Sequence, residues 1–245
     1  AAAGMVPFCN IYSTFMQRAY DNVIHDVAIQ GLPVVMCLDR GGLVGEDGVT
    51  HHGVFDMAAF GAVPGLTVAA PMNEPELRNM MWTGLQAGAP FMIRYPRGLG
   101  EGLPWRSLPF ETLSVGRGRR LREGRDVALV TVGTVGNAAA RAAERAAAQG
   151  VEAAHYDLRW VKPLDTELLD EVGRTFRRVI TVEDGCLRGG VGEAVAAYFN
   201  ARGYDAHVTC LGIGDAWVEH GTPEQLHALC GYDEESILRA LTQPV

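Results

Sequence analysis

Val34-Val35-Met36-Cys37-Leu38-Asp39-Arg40-Gly41-Gly42-Leu43-Val44-Gly45-Glu46-Asp47-Gly48-Val49-Thr50-His51-His52-Gly53-Val54-Phe55-Asp56 is a short apolar run that ends on an aspartate and opens into a long glycine-rich loop. The run reads as a fully buried strand, and in parallel α/β sheets ligands bind beyond such carboxyl ends. The loop holds five glycines, which would let the backbone approach a ligand closely. It also holds an arginine for an anion, carboxylates for orientation and two imidazoles that titrate near neutral pH. A plain surface loop is the bland alternative. A loop of this length without elements of its own is more often functional, and Leu43, Val44, Val54 and Phe55 can anchor it.

Working outward, residues 1–98 alternate apolar runs with helical periodicity. Strands are expected at 6–11, 34–38, 67–70 and 91–94. Between the first two, Phe15/Met16, Ala19/Tyr20, Val23/Ile24 and Val27/Ala28 recur every four residues, predicting a helix capped by Ser13 or Thr14 and stopped by Gly31. A second helix starts at Asn73 and runs through Leu77, Met80, Met81 and Leu85. Residues 99–113 contain Gly, Pro and Trp without a clear period and read as a linker. From residue 114 the alternation restarts, with strands at 127–132, 153–156, 179–182 and 206–211 and helices at 136–149, 165–174, 192–201 and 223–229. The expectation is two α/β domains, 1–98 and 114–245, each with a mostly parallel sheet covered by helices.

Composition excludes several classes. The formal net charge is −8, and the cluster Arg117, Arg119, Arg120, Arg122 is short and lacks interleaved aromatics. It reads as a solvated strand face or turn, so no nucleic-acid partner is expected. No apolar run is long enough for a membrane span. The five cysteines (Cys9, Cys37, Cys186, Cys210, Cys230) have no metal-site spacing and read as reduced core thiols of a cytoplasmic protein. The opening Ala1-Ala2-Ala3-Gly4 resembles a helix end running at once into a strand. Material is therefore expected before Ala1, and a gap between Gly4 and Val6.

Two further strand ends carry chemistry. Tyr12 and Phe15 could clamp a flat heteroaromatic ring, whereas Tyr20 fits the apolar stripe of the helix. Arg97, held between Pro96 and Gly98, could meet the same anion as Arg40, since two guanidinium groups from separate strand ends suit a phosphate. Arg94 reads as the residue of a surface or interface ion pair. In the second segment, Gly133-Thr134-Val135-Gly136 is only a weak phosphate-loop signal, and Glu183-Asp184-Gly185 with Arg188-Gly189-Gly190-Val191-Gly192 reads as helix entry and interface packing.

Residues 11–30 (IYSTFMQRAYDNVIHDVAIQ), 38–56 (LDRGGLVGEDGVTHHGVFD), 94–98 (RYPRG), 159–165 (RWVKPLD), 212–215 (GIGD) and 220–226 (HGTPEQL) together resemble the transketolase-type thiamine diphosphate enzymes. Within these the sequence is most similar to the 1-deoxy-D-xylulose-5-phosphate synthase family. The resemblance implies an N-terminally truncated pyrimidine-binding domain followed by a transketolase C-terminal domain. It implies condensation of pyruvate with D-glyceraldehyde 3-phosphate with loss of carbon dioxide. Phe15 would stack on the cofactor's aminopyrimidine with Tyr12 nearby. Arg40 and Arg97, assisted by Tyr12, would hold the acceptor's phosphate. His51 would be the general acid/base, Asp47 a hydrogen-bonding partner in the pocket, and Arg18 a weaker candidate. His52 is left out, because successive side chains of an extended chain point to opposite sides. The metal and diphosphate ligands, and the glutamate that activates the pyrimidine, are expected in an N-terminal diphosphate-binding domain outside these residues, so no metal ligand is assigned here. A homodimer, inactive without that domain, is the implied assembly. A transketolase C-terminal subunit or a 2-oxo-acid dehydrogenase β subunit are the alternative enzymes. A non-catalytic α/β module is disfavoured by the retained Arg40, Asp47, His51 and Arg97.

Overall fold

A computed structural model describes residues 1–243. The chain begins with a turn closed by Gly4 N–H donating to the Ala1 carbonyl at 2.8 Å. β1 (Phe8–Tyr12) starts two residues later than the apolar run suggests. Pro7 has no N–H to give, and its carbonyl accepts from Val35 N at 3.0 Å where the ladder begins.

The helix expected after β1 is broken into pieces: α1 (Ser13–Met16), a 3-10 turn (Gln17–Ala19), α2 (Tyr20–Asn22) and a π-helical turn (Val23–Ala28). The four-residue recurrence accounts for the π-helical turn. In a regular α-helix it drifts about 40° per repeat, and wider π turns take up the drift. Neither Ser13 nor Thr14 caps it. Tyr12 precedes the first turn without a side-chain bond, and both hydroxyls reach elsewhere. Gly31 does end it, at φ +62°.

β2 (Val35–Asp39), α3 (Asp56–Gly61), β3 (Thr67–Ala69), α4 (Glu74–Gln86) and β4 (Phe91–Arg94) follow. Asn73 caps α4, its side chain accepting from Glu76 N. The second segment supplies β5 (Arg119–Arg122), β6 (Val127–Val132), α5 (Val135–Ala147), β7 (Ala153–Asp157), β8 (Trp160–Lys162), α6 (Thr166–Thr175), β9 (Arg178–Cys186), α7 (Val191–Arg202), β10 (His207–Ile213), α8 (Pro223–Cys230) and α9 (Glu234–Thr242). Residues 99–113 carry neither helix nor strand.

Two five-stranded sheets result, ordered β1-β2-β4-β3-β8 and β10-β9-β6-β7-β5. Each is parallel except for one antiparallel edge, β8 or β5. β8 comes from the second segment but completes the first sheet, so the two segments are not independent sheets as the sequence suggests. Alternation along buried strands divides the cores. Met36 and Leu38 pack on one face of β2 with Met16, Phe60 and Met92, while Val35 and Cys37 pack on the other with Met80, Phe91 and Trp160. Of the five cysteines expected in cores only Cys37 is buried: Cys186, Cys210 and Cys230 are half-buried and Cys9 is exposed. The arginine cluster around β5 is neutralised within the fold: Arg117 by Glu167, Arg119 by Glu76 and Asp157, Arg120 by Glu171, and Arg122 by Glu152. Among the described residues no helix is long and apolar enough to cross a membrane.

The register sets up the site. Tyr12 pairs with Asp39 across β1–β2, and Leu38 pairs with Arg94 across β2–β4. Three chain segments therefore leave the sheet side by side along its carboxyl-end edge: the one after Tyr12, the loop after Asp39 and the turn after Arg94.

Candidate active site

At that edge four side chains form a continuous stack. The Arg40 guanidinium lies 3.7 Å over the Tyr12 ring. Tyr12 is stacked on Phe15, with centroids 5.3 Å apart and planes at 13°. Phe15 meets His51 edge-on at 5.4 Å. Phe15 keeps 39% of its surface exposed, so a flat ring can be laid against it. Thr50 Oγ1 and His51 Nδ1 are 2.9 Å apart, and Thr14 Oγ1 donates to the Thr50 carbonyl at 3.2 Å, tying the loop to α1. Arg40 sits in the left-handed region at φ 59° and pairs with Asp39, while its buried Nε has no partner. Arg97 pairs with Asp47 at 2.8 Å, both half-exposed. Each expected anion-binding arginine is therefore held by its own carboxylate, Arg40 by Asp39 and Arg97 by Asp47. Arg18 is exposed, and no ion pair or hydrogen bond involves it among the described residues. Tyr20 belongs to the core, donating to the Ala59 carbonyl at 3.1 Å and packing on Phe60.

The glycines serve a purpose different from the expected one. A Cβ on Gly41 would lie 2.8 Å from Arg94 Nε, on Gly42 1.9 Å from Asp184 Oδ2, and on Gly53 2.2 Å from the Arg40 carbonyl. They admit the protein's own groups. Gly42 and Gly53 exchange two backbone hydrogen bonds of 2.8 Å, closing the loop on itself. Leu43, Val44 and Val54 are buried as expected, but Phe55 is 39% exposed and packs edge-on against Trp217.

Beneath the loop lies a polar scaffold in which Glu183 serves helix entry as the sequence suggests, but the Arg94 pair is buried rather than at a surface or interface. Arg94 Nε donates to Asp56 Oδ2 at 3.1 Å with both side chains almost fully buried. Ser13 donates to the same oxygen at 2.9 Å, and Arg94 also donates to the Asp184 carbonyl at 2.9 Å. Burial works against the Arg94 charge, yet Asp56, Asp184 and Glu183 around it raise its pKa above the usual arginine value. Asp184 accepts from Leu43 N at 3.0 Å and from the Tyr232 hydroxyl at 2.8 Å. Glu183 caps α7 through Val191 N and Gly192 N at 2.9 and 2.8 Å, and burial pushes its carboxyl up to about 7. Breaking such a buried pair by removing one partner costs roughly 3–5 kcal/mol, so this network fixes where the loop stands. The 133–136 turn is likewise structural: Gly136 abuts Met72, and Asn137 donates to the Met72 carbonyl at 2.8 Å.

Two cavities flank the loop. One of about 550 Å³ is lined by Arg97, Tyr95, Glu74, Thr134, Asp184 and His227. The other, about 580 Å³, is lined by Val49, His52, Phe55, Cys186 and Trp217. The stack of Arg40, Tyr12, Phe15 and His51 lines neither and stands at the sheet edge itself. Among the described residues no group of three or more His, Cys, Asp or Glu is placed to hold a metal ion.

The domain model of the transketolase pyrimidine-binding domain matches residues 1–101, and that of the transketolase C-terminal domain matches residues 116–237. The chain belongs to the transketolase family. Within this family it is 55% identical to a 1-deoxy-D-xylulose-5-phosphate synthase of Bacteroides fragilis, covering 99% of this chain and 38% of that protein. It is 55% identical to the synthase of Bacteroides thetaiotaomicron, over 98% of this chain and 37% of that one. The Gloeobacter violaceus synthase is 45% identical, over 100% of this chain and 39% of that protein. The chain thus spans less than two-fifths of the length of these relatives. Among solved structures, a split gene transketolase, described as an inactive β4 tetramer, superposes with a TM-score of 0.86 at 28% identity, over 98% of this chain and 76% of that one.

Proposed function

We propose that these residues form the pyrimidine-binding and C-terminal parts, 1–98 and 114–245 joined by 99–113, of a 1-deoxy-D-xylulose-5-phosphate synthase. The reaction condenses pyruvate with D-glyceraldehyde 3-phosphate and releases carbon dioxide, the first step of a route to isoprenoids. The carrying observation is the shared sheet edge: an exposed aromatic shelf, an imidazole edge-on to it, and two arginines on neighbouring loops. Thiamine diphosphate, when bound with Mg²⁺, supplies the electron sink for decarboxylation. The Tyr12–Phe15 shelf fits its flat pyrimidine. The metal and diphosphate grip falls to an N-terminal domain, for which these residues offer no ligand set. His51 holds or moves a proton beside that ring, and Asp47 steadies the pocket. Arg40, with an unsatisfied buried Nε, and Arg97 bind the acceptor's phosphate, with Tyr12 beside them. Arg18 borders the same region. The protein works as a cytoplasmic homodimer, and without its N-terminal domain it is inactive.

A split transketolase subunit is the second reading, favoured by the structural match. The deciding experiment joins the chain to its N-terminal region and measures carbon dioxide release from pyruvate with and without glyceraldehyde 3-phosphate. Release that depends on the phosphorylated aldehyde and yields a five-carbon ketose phosphate is expected. Ketol transfer between sugars with no pyruvate consumption would overturn the synthase reading.

A further inference from the structure

His52 stands next to the proposed acid/base but faces the opposite way, and it is 4% exposed. Its Nδ1 accepts from Val44 N–H at 3.1 Å. A backbone amide can only donate, so Nδ1 carries no proton and the ring is the neutral Nε2–H tautomer. Nε2 lies 3.4 Å from the Glu219 carbonyl, which can only accept. The two ring nitrogens thus join two backbone groups of opposite polarity, one in the loop and one in the 214–222 segment between β10 and α8. Contacts on either side run the same way. Gly221 N–H reaches the Gly45 carbonyl at 3.4 Å, and a Cβ on Gly48 would come within 3.3 Å of the His220 Cβ. Between Val44 and Gly48 lies the 3-10 turn Gly45–Asp47, which presents Asp47 to Arg97. A polar ring buried beside Leu43 and Val54 is costly unless both nitrogens are matched, and here both are.

We propose that His52 is a positioning residue through which the 214–222 segment of the C-terminal part sets the Gly45–Asp47 turn, and with it the Asp47–Arg97 pair that receives the acceptor's phosphate. This rests on the synthase reading for the identity of the acceptor, but not for the anchoring itself. Glutamine offers one acceptor and one donor on a single side chain. Leucine fills similar space and offers neither.

The test uses the full-length protein with His52→Gln and His52→Leu, read by hydrogen–deuterium exchange and by steady-state kinetics. The Leu variant should speed amide exchange across residues 43–50 by about tenfold, the equivalent of one buried hydrogen bond. It should raise KM for glyceraldehyde 3-phosphate by about tenfold while KM for pyruvate stays within about twofold. The Gln variant should return both readouts most of the way to wild type. Unchanged exchange across 43–50 in the Leu variant, a Gln variant that behaves like Leu, or equal rises in both KM values would each overturn the proposal. A wild-type protein without synthase activity would overturn the functional reading instead, and the exchange comparison would still decide the anchoring.

Discussion

Arg97 and His51 stand at the same sheet edge, but their loss should read out differently. The Arg97–Asp47 pair is half-exposed and adds little to stability, so Arg97→Ala leaves the fold intact. On the proposed synthase reading the loss falls on ground-state binding: KM for glyceraldehyde 3-phosphate, measured at saturating pyruvate, should rise roughly 10- to 100-fold, the range for losing a charge-assisted bond. His51→Ala should instead lower kcat by about 10²- to 10⁴-fold with both KM values little changed. An unchanged KM for Arg97→Ala would remove it from the phosphate site. A third residue speaks to pH. His155 is 1% exposed, shares a 2.9 Å hydrogen bond with Thr131, and is pushed from the ordinary 6.5 down to about 4 by burial and then by Arg119. A depressed folded pKa means stability that is present above 6.5 and lost as pH falls toward 4, on the order of 3 kcal/mol in all. Asp157 runs the other way. Burial and then Glu76 push its carboxyl up to about 7, so its contribution is lost as pH rises. The readout is therefore the stability difference between wild type and His155→Gln. It should be constant above neutrality and shift against wild type between pH 6.5 and 4. A flat difference would mean His155 takes no part in acid unfolding.

Among the elements, those whose own residues bury them were legible. The runs at 91–94 and 127–132 match β4 and β6 residue for residue, because a central parallel strand is apolar on both faces. The two antiparallel edge strands were not. β5 is Arg-Arg-Leu-Arg and β8 has three residues, and each is defined by pairing with a distant neighbour. α9 could have been read, since Asp233 caps it and Ile237, Leu238 and Leu241 line one face. The nearness of Tyr12, Phe15, Arg40 and His51 followed from adjacent strand ends. Asp184 under Gly42 did not, because the Leu43–Asp184 bond joins residues 141 apart in sequence. That contact makes the loop's glycines testable. Gly42 has φ +83°, and a methyl there would also strike the Asp184 carboxylate. Left-handed strain and overpacking together amount to roughly 2–5 kcal/mol. Gly42→Ala should lower the Tm by several degrees, whereas alanine at Gly31, also at positive φ but with nothing near its Cβ, should cost only the backbone term. Equal losses at the two positions would show that the Asp184 contact contributes nothing.

The whole molecule is held together by exchange between its segments. Glu76 from α4 receives Arg159 at 2.7 Å and Arg119 at 3.1 Å, and Arg119 also pairs with Asp157 at 3.0 Å. Leu43 and Val54 belong to the core of the second sheet, and Met57 and Ala70 pack with the residues of β6 and β7. The strongest tie is β8. Trp160 has no exposed surface, meets Phe91 edge-on at 5.9 Å, and donates from Nε1 to the Arg117 carbonyl at 3.0 Å. It fills the first sheet's core from a strand that the sequence assigns to the second domain. Without it, β3 becomes an open edge and the core around Phe91 loses a wall. Two domains linked only by residues 99–113 would unfold separately. A shared strand and a shared ion cluster predict instead one cooperative transition by calorimetry and by denaturant, with tryptophan fluorescence and circular dichroism coinciding. Trp160→Ala should cost about 3–5 kcal/mol and move that single transition as a whole. Two resolved transitions, with only one moved by the substitution, would show that the sheets stand independently and that β8 is an ornament on the first of them.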